Sequence, residues 1–256
     1  MVASKDPKGI NKTGSPGDLD HQIASWGFVH GRQSRARVMI GAGVLFVGVV
    51  TIVLAWLLVR FGDDNLHKVS EDFYRSRQLD GPAMKRVIAD KGIKTVIRLV
   101  GTEDGNVESY EMESAAVAET DATLVVAKMA ATRLPYRSEL SRVFEALDTS
   151  QRPLLVHCRQ GSDRTGLISV IWLHDYKGES LEKAREQLAF FAYGHVPIGS
   201  SGSMGEFLDM YEAYTAEHPG EKLNIQQWVK LHYFEEKPGR EIAAWYDGVL
   251  YPEVDS

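Results

Sequence analysis

The residues best able to do chemistry fall in one short stretch. The chain's single cysteine, Cys158, lies in PLLVHCRQGSDRTGLISVIWL, residues 153–173, and Arg164 follows it six positions later. The apolar run Pro153–His157 predicts a buried strand, and a helix is expected to begin near Arg164–Thr165, so a tight loop joins them. In such a loop the amides of Arg159, Gln160, Gly161, Ser162, Asp163 and Arg164 turn inward as a concave nest, reinforced by the positive end of the helix. A nest of that kind favours a thiolate at its base and a tetrahedral anion resting in it. Gly161 supplies the backbone freedom a close loop needs. Arg164 adds a planar fork for two oxygens of one anion. Thr165 is placed to hydrogen-bond Cys158 and help it leave in a second step, and His157 orients the loop rather than serving as a base. The chemistry indicated is nucleophilic attack by sulfur on phosphorus. The plainer reading, Cys158 as a small core residue, leaves the Arg164-Thr165-Gly166 sequence unexplained. Sulfur transfer of the rhodanese or arsenate-reductase kind fits less well, because one cysteine leaves no resolving thiol.

The surrounding chain must hold that loop. Lys94–Val100 and Thr123–Ala127 read as further short buried strands. Between them lie helical stripes: Met84, Val87 and Ile88 after a start at Asp80-Gly81-Pro82; Leu140, Val143, Phe144 and Leu147; Met204, Phe207, Leu208 and Tyr211. A helix is also expected over Leu181–Ala192. Strands alternating with helices predict an α/β fold with a mostly parallel central sheet flanked by helices. Glu221–Ser256 reads as a terminal helix and tail.

His157-Cys158-x5-Arg164-Thr165-Gly166 resembles the signature of cysteine-dependent protein tyrosine and dual-specificity phosphatases. The resemblance extends over roughly residues 69–215. Phe73-Tyr74-Arg75-Ser76, Gly92-Ile93-Lys94-Thr95-Val96-Ile97 and Tyr193-Gly194-His195-Val196-Pro197 are similar to segments of compact bacterial members. It implies a dual-specificity-phosphatase-like fold and a metal-free, cofactor-free, two-step hydrolysis. In that scheme Cys158 takes the phosphoryl group, while Arg164 and the amides of residues 159–164 bind its oxygens.

The chain departs from that family at the general acid. Many relatives carry an aspartate some 30–40 residues before the cysteine, but the comparable stretch here, Lys128–Pro135, has no carboxylate. Three candidates remain, ranked Asp163, Asp104 and Asp121. Asp163 sits inside the loop, with a tethering role as its plainer alternative. Asp104 follows a strand at its carboxyl end, and Asp121 precedes one. Tyr193 and His195, ahead of the Gly/Ser-rich stretch Gly199–Ser203, read as a packed turn, slightly in preference to a rim of the site. Arg75 and Arg77 are possible anion contacts, and Arg133 a better one.

Charge and hydropathy divide the chain. Its 256 residues carry a net charge of −6, which argues against a general nucleic-acid binder. A single cysteine excludes an internal disulfide framework or a cysteine-based zinc cluster. Residues 1–37 hold six basic and three acidic groups, a +3 tail expected to be disordered, which leaves −9 for the rest. Val38–Val59 is 22 residues without a charge. As a helix it would extend about 33 Å, enough to cross a hydrocarbon core. It reads as an uncleaved transmembrane anchor rather than a signal peptide, since no small-residue cleavage site follows it. Arg32, Arg35 and Arg37 before it favour a cytoplasmic N-terminus and a periplasmic or other extracytoplasmic catalytic domain. The expected organisation is therefore a 1–37 tail, a 38–59 span, a 60–68 linker, a 69–215 catalytic domain and a 216–256 extension. Tethering to a bilayer favours a phosphorylated lipid or a lipid A-like glycolipid as substrate. A phosphoprotein is the alternative partner, and a catalytically weak phosphate-binding module is a further one.

Overall fold

Alternation along the strand before the cysteine decides which way each site residue points. In the computed structural model, which describes residues 39–55, 64–103 and 105–234, that strand is β5 (Leu154–Cys158), buried throughout. Its neighbours are β1 (His67–Ser70), β2 (Phe73–Arg77), β3 (Thr95–Arg98) and β4 (Thr123–Val126). The sheet order is β1-β2-β5-β3-β4, with β1 antiparallel to β2 and the other four strands parallel. The predicted strands are thus found, each within two residues of its expected limits. β1 and β2 were not foreseen, because HKVS and FYRSR carry no apolar run.

The chain divides into two compact units, Met1–Val59 and Arg60–Ser256. Within the first, one element is described: α1, residues 39–55, exposed along its length. No helix among the described residues is long and apolar enough to cross a membrane. The expected 38–59 span extends past the described residues at both ends, and the expected 1–37 tail and residues 60–63 of the expected 60–68 linker lie outside them.

In the second unit, α2 (Gly81–Lys91) starts as predicted: Asp80 caps it by accepting from the Ala83 amide at 2.7 Å. With α3 (Val107–Ala118) it buries Met84, Val87, Ile88, Ala116 and Val117 against Val96 and Leu155. The opposite face of the sheet is covered by α4 (Arg137–Thr149), α5 (Asp163–Ile171), α8 (Ser203–Glu217) and α9 (Ile225–Leu231). There Leu140, Phe144, Leu167, Ile171, Phe207 and Trp228 pack with Leu154, Val156 and Cys158. Residues 154, 156 and 158 therefore face one core, and residues 155 and 157 the other.

The packed unit takes in more than residues 69–215. β1 begins at His67, and Ile225, Trp228, Val229 and Tyr233 belong to the larger core. The Asp175 carboxylate fastens α9 by accepting from the Ile225 and Gln226 amides at 3.0 and 2.8 Å.

The single helix expected over Leu181–Ala192 is broken. It becomes α6 (Leu181–Ala184), a 3-10 turn at Arg185–Leu188 and α7 (Phe190–Tyr193). The reason is local: the Gln187 carbonyl is turned to Arg75, accepting from Nη1 at 2.7 Å, and so leaves the helical ladder. Gly166 of α5 also meets this segment closely; a Cβ there would lie 3.0 Å from the Gln187 carbonyl oxygen.

Candidate active site

Cys158 ends β5 buried on the α5 side, and residues 159–162 lead from it to the first turn of α5 at Asp163. What shapes this loop is the direction of its carbonyls. Arg159 O accepts from the Gln78 amide, Gln160 O from Asn65 Nδ2, Gly161 O from Arg75 Nη2 and Ser162 O from the Gly166 amide. All four oxygens are thus taken by groups of the chain. The amides of residues 159–162 donate to no other group among the described residues. With α5 behind them, these amides are left available for the anion-binding nest expected from the spacing.

Gly161 has φ +73°. A Cβ there would lie 2.6 Å from Ser76 O and 2.7 Å from the Arg77 amide nitrogen, both backbone atoms of β2. Gly161→Ala is therefore expected to cost about 1–2 kcal/mol from the left-handed backbone alone, and more from the collision. A lower denaturation midpoint together with a loss of turnover of at least about tenfold checks this, given how much a small misplacement of positioned groups costs.

Arg164 is held by its outer end. Nη1 donates to Leu99 O at 3.2 Å and to Met129 O at 3.1 Å, which ties it to the carboxyl ends of β3 and β4. Its Nε is buried and has no hydrogen-bond partner among the described residues. Donor capacity is thus left on a guanidinium that lines the same cleft as Cys158. Thr165 is fully buried, and its Oγ1 likewise has no partner, so the expected Thr165–Cys158 hydrogen bond does not form in this structure.

On the other face of β5, His157 Nε2 lies 2.6 Å from Glu113 Oε1 of α3. Glu113 Oε2 accepts from Arg98 Nη1 at 2.5 Å, and Arg98 Nη2 also donates to Ser109 Oγ at 3.0 Å. The Arg98 and Glu113 side chains are 0% and 1% exposed, which makes this a desolvated ion pair. Burial pushes the Glu113 carboxyl up. The hydrogen bond with His157 and the charges of His157 and Arg98 outweigh it, holding the group below its ordinary range. The orienting role expected of His157 thus acts through a side chain, Glu113, that the sequence did not single out. No local signal marks it, since 44 residues separate the two.

The remaining expectations sort by position. Asp163 lines the cleft with Cys158 and Arg164; its Oδ1 lies 2.6 Å from His195 Nδ1, and its Oδ2 accepts from Ser201 Oγ at 3.1 Å. His195 is buried, so the turn at Tyr193–Pro197 is packed and also reaches the site through Asp163. Asp121 is exposed and precedes β4, at the amino edge of the sheet opposite Cys158. Asp104 lies outside the described residues.

Arg75 is not an exposed anion contact. It is fully buried, donates to Gln187 and to Gly161 O at 2.6 Å, and stacks on Tyr193 at 3.9 Å, so it supports the loop from beneath. Arg77 pairs with Asp64 at 3.1 Å. Arg133 is turned away from Cys158: it is bound to Glu139 through both terminal nitrogens and lies over the Tyr136 ring. Of the other loop residues, Arg159 Nη2 donates to Asn106 Oδ1 at 2.9 Å, Gln160 lines the cleft, and Ser162 Oγ donates to Tyr193 O at 2.8 Å.

The cleft has a volume of about 480 Å³. Its floor is Cys158 and Arg164, and its walls are Val100–Gly101, Glu103, Asn106 and Lys128–Thr132, with Lys128 paired to Glu103. Among the described residues no cluster of His, Cys, Asp or Glu has the makings of a metal site.

A buried cysteine, a loop whose carbonyls are all tied back, and an arginine lining the same cleft suit a cysteine-dependent phosphatase. Residues 64–176, somewhat under half of the chain, match the model of the tyrosine phosphatase family. No curated protein matches the chain. Among solved structures it is similar to Pseudomonas aeruginosa TpbA in complex with phosphotyrosine, with 20% identity over 52% of this chain and 76% of that one, at a TM-score of 0.43. It is also similar to the catalytic domain of the Saccharomyces cerevisiae PP-IP phosphatase SIW14 (19% identity, 62% and 96% covered, TM-score 0.44). A putative phosphatase from Shewanella putrefaciens is a third (14% identity, 58% and 89% covered, TM-score 0.47).

Proposed function

We propose that the protein is a membrane-anchored phosphatase that hydrolyses a phosphomonoester carried by a lipid or glycolipid at the membrane surface. The observation that carries the membrane part is the uncharged run of 22 residues, Val38–Val59, placed a few residues before β1. With a cytoplasmic N-terminus the catalytic unit lies on the far side of that membrane, and protease added to intact spheroplasts is expected to cleave residues 64–234 but not residues 1–37.

The chemistry follows from the floor of the cleft. The Cys158 thiolate attacks phosphorus, forming an S–P bond as the P–O bond to the leaving group breaks. The leaving oxygen takes a proton from Asp163, which lines the cleft and is held by His195 and Ser201. Water then attacks phosphorus and gives its proton to Asp163, the S–P bond breaks, and inorganic phosphate and the thiolate are released. Through both steps Arg164 and the amides of residues 159–164 stabilise the charge on the non-bridging oxygens.

The full chain in vesicles is expected to release phosphate from a bilayer phosphomonoester such as phosphatidic acid. Failure there, with turnover of phosphotyrosine peptides, would favour the second reading, a protein tyrosine or dual-specificity phosphatase, which the family match supports. Failure with every phosphomonoester would leave a phosphate-binding module.

The role of Asp163 has its own test. Asp163→Asn is expected to slow hydrolysis of alkyl phosphates, which are poor leaving groups, by roughly 10²-fold or more, and that of nitrophenyl phosphate far less. Equal losses would remove it as the general acid.

A further inference from the structure

The turn that follows α7 holds a buried imidazole beside the cleft. His195 is 2% exposed and is not among the residues lining the cleft, so any part it takes in the reaction passes through a neighbour. That neighbour is Asp163, whose Oδ1 lies 2.6 Å from His195 Nδ1, the distance of a strong hydrogen bond. A carboxylate can be paired in this way for stability alone. Asp163 differs because it lines the cleft with Cys158 and Arg164, and because its second oxygen, Oδ2, accepts from Ser201 Oγ at 3.1 Å. Ser201 lines the cleft as well.

The two oxygens of Asp163 therefore have unlike partners: Oδ1 meets a buried ring, and Oδ2 meets a hydroxyl in the wall of the cleft. A hydroxyl both donates and accepts, so Ser201 tolerates a proton on Oδ2. An imidazole nitrogen that carries its proton only donates, so a protonated Nδ1 keeps Oδ1 as an acceptor. The ring is itself firmly placed. Tyr193 O accepts from Ser162 Oγ at 2.8 Å and from Asn65 Nδ2 at 3.2 Å, and Arg75 lies over the Tyr193 ring at 3.9 Å. Gly194, with φ +74°, then turns the chain and brings His195 to Asp163. The segment carrying the ring is thus bound to the catalytic loop at Ser162 and to the start of α5 at Asp163.

We propose that His195 is a positioning residue: donating from Nδ1 to Oδ1, it holds the Asp163 carboxyl so that Oδ2 carries the proton exchanged with the substrate. The inference rests on the reading of Asp163 as the general acid, and adds which oxygen acts and what reserves it. In the first step the proton leaves Oδ2 for the leaving oxygen as the P–O bond breaks, while Oδ1 keeps its hydrogen bond to the ring. In the second, a proton of the attacking water returns to Oδ2 as the S–P bond breaks. His195 neither gains nor loses a proton in either step. Its N–H stabilises the carboxylate left after the first. A carboxyl free to rotate would spend part of its time with the proton misdirected, and protonation of a poor leaving group is the event that suffers.

In the full chain, His195→Leu is expected to lower kcat for an alkyl phosphate at least about tenfold with KM unchanged. Hydrolysis of nitrophenyl phosphate, whose leaving group needs little protonation, is expected to stay within about twofold. His195→Asn, whose side-chain amide offers an N–H near the place of Nδ1, is expected to recover most of the loss. His195→Gln, whose amide lies one methylene further out, is not. Equal slowing of both esters by His195→Leu overturns the proposal, because it marks a purely structural role; so does an Asn variant as slow as the Leu variant. Should His195→Leu fail to fold, the Asn and Gln variants carry the same contrast between two amides. On an Asp163→Asn background, His195→Leu is expected to add no further loss with the alkyl ester, since the residue acts through that carboxyl, and an additive loss overturns the proposal. If Asp163→Asn alone slows both esters equally, the general-acid reading falls and the inference with it. If Asp163→Asn is selective and His195→Leu is not, only the inference falls.

Discussion

Arg164→Lys is expected to lower kcat/KM by roughly 10²–10³-fold, the loss typical of removing a donor aimed at developing charge, with little change in the denaturation midpoint. Arg164 Nη1 is committed to the carbonyls of Leu99 and Met129, while Nε is buried with no hydrogen-bond partner among the described residues. Lysine has one nitrogen. It can keep the carbonyl contacts or meet an anion, but it cannot hold a fork in place while presenting it. Phosphate release measured with a soluble aryl ester checks this directly, and near-normal turnover would show that the amide nest suffices without the fork.

The second large effect is structural. Glu113→Gln leaves the Arg98 guanidinium buried without its counter-ion, and breaking a buried pair this way costs about 3–5 kcal/mol. Removing both charges together, as Arg98→Met with Glu113→Leu, is expected to cost much less than the single change, because neither charge is then stranded. Denaturant midpoints of the three proteins check it, and a double variant no more stable than Glu113→Gln would refute the account. The pH dependence carries a definite sign. The folded Glu113 carboxyl titrates below its unfolded value of about 4.5. The stability it adds is therefore complete above that pH and is lost as pH falls through the lower folded value. The gap between wild type and Glu113→Gln should narrow on acidification and hold steady at neutral pH.

The two sites differ in how plainly the sequence announces them. The loop from Cys158 to Thr165 was legible because its parts are contiguous: strand, glycine, arginine and helix lie within a dozen residues, and backbone geometry does the rest. The parallel sheet was legible from its apolar runs. Glu113, Arg98 and Arg75 were not, because each is a charged residue whose partner lies far along the chain, and charge in a sequence ordinarily signals solvent. FYRSR reads as polar, yet Arg75 points inward to hold the loop. VESYEMESAAVA has a weak apolar face because Glu113 is turned to the core. The break in the 181–192 helix follows from the same cause, since Arg75 takes the carbonyl of Gln187.

The outward-tied carbonyls of residues 159–162 have one more consequence. Four separate groups hold them, two from the strand region before β3 and one from the chain's entry at Asn65. A loop so constrained is a fixed instrument. On the proposed function it would present the same donors to every phosphomonoester, whatever the phosphate is attached to. Discrimination among substrates must therefore reside in the other lining residues, Val100, Gly101, Glu103, Asn106 and Lys128–Thr132, which include the Glu103–Lys128 pair. Exchanging wall residues should redirect the enzyme's choice of substrate while its intrinsic reactivity toward phosphorus stays as it is.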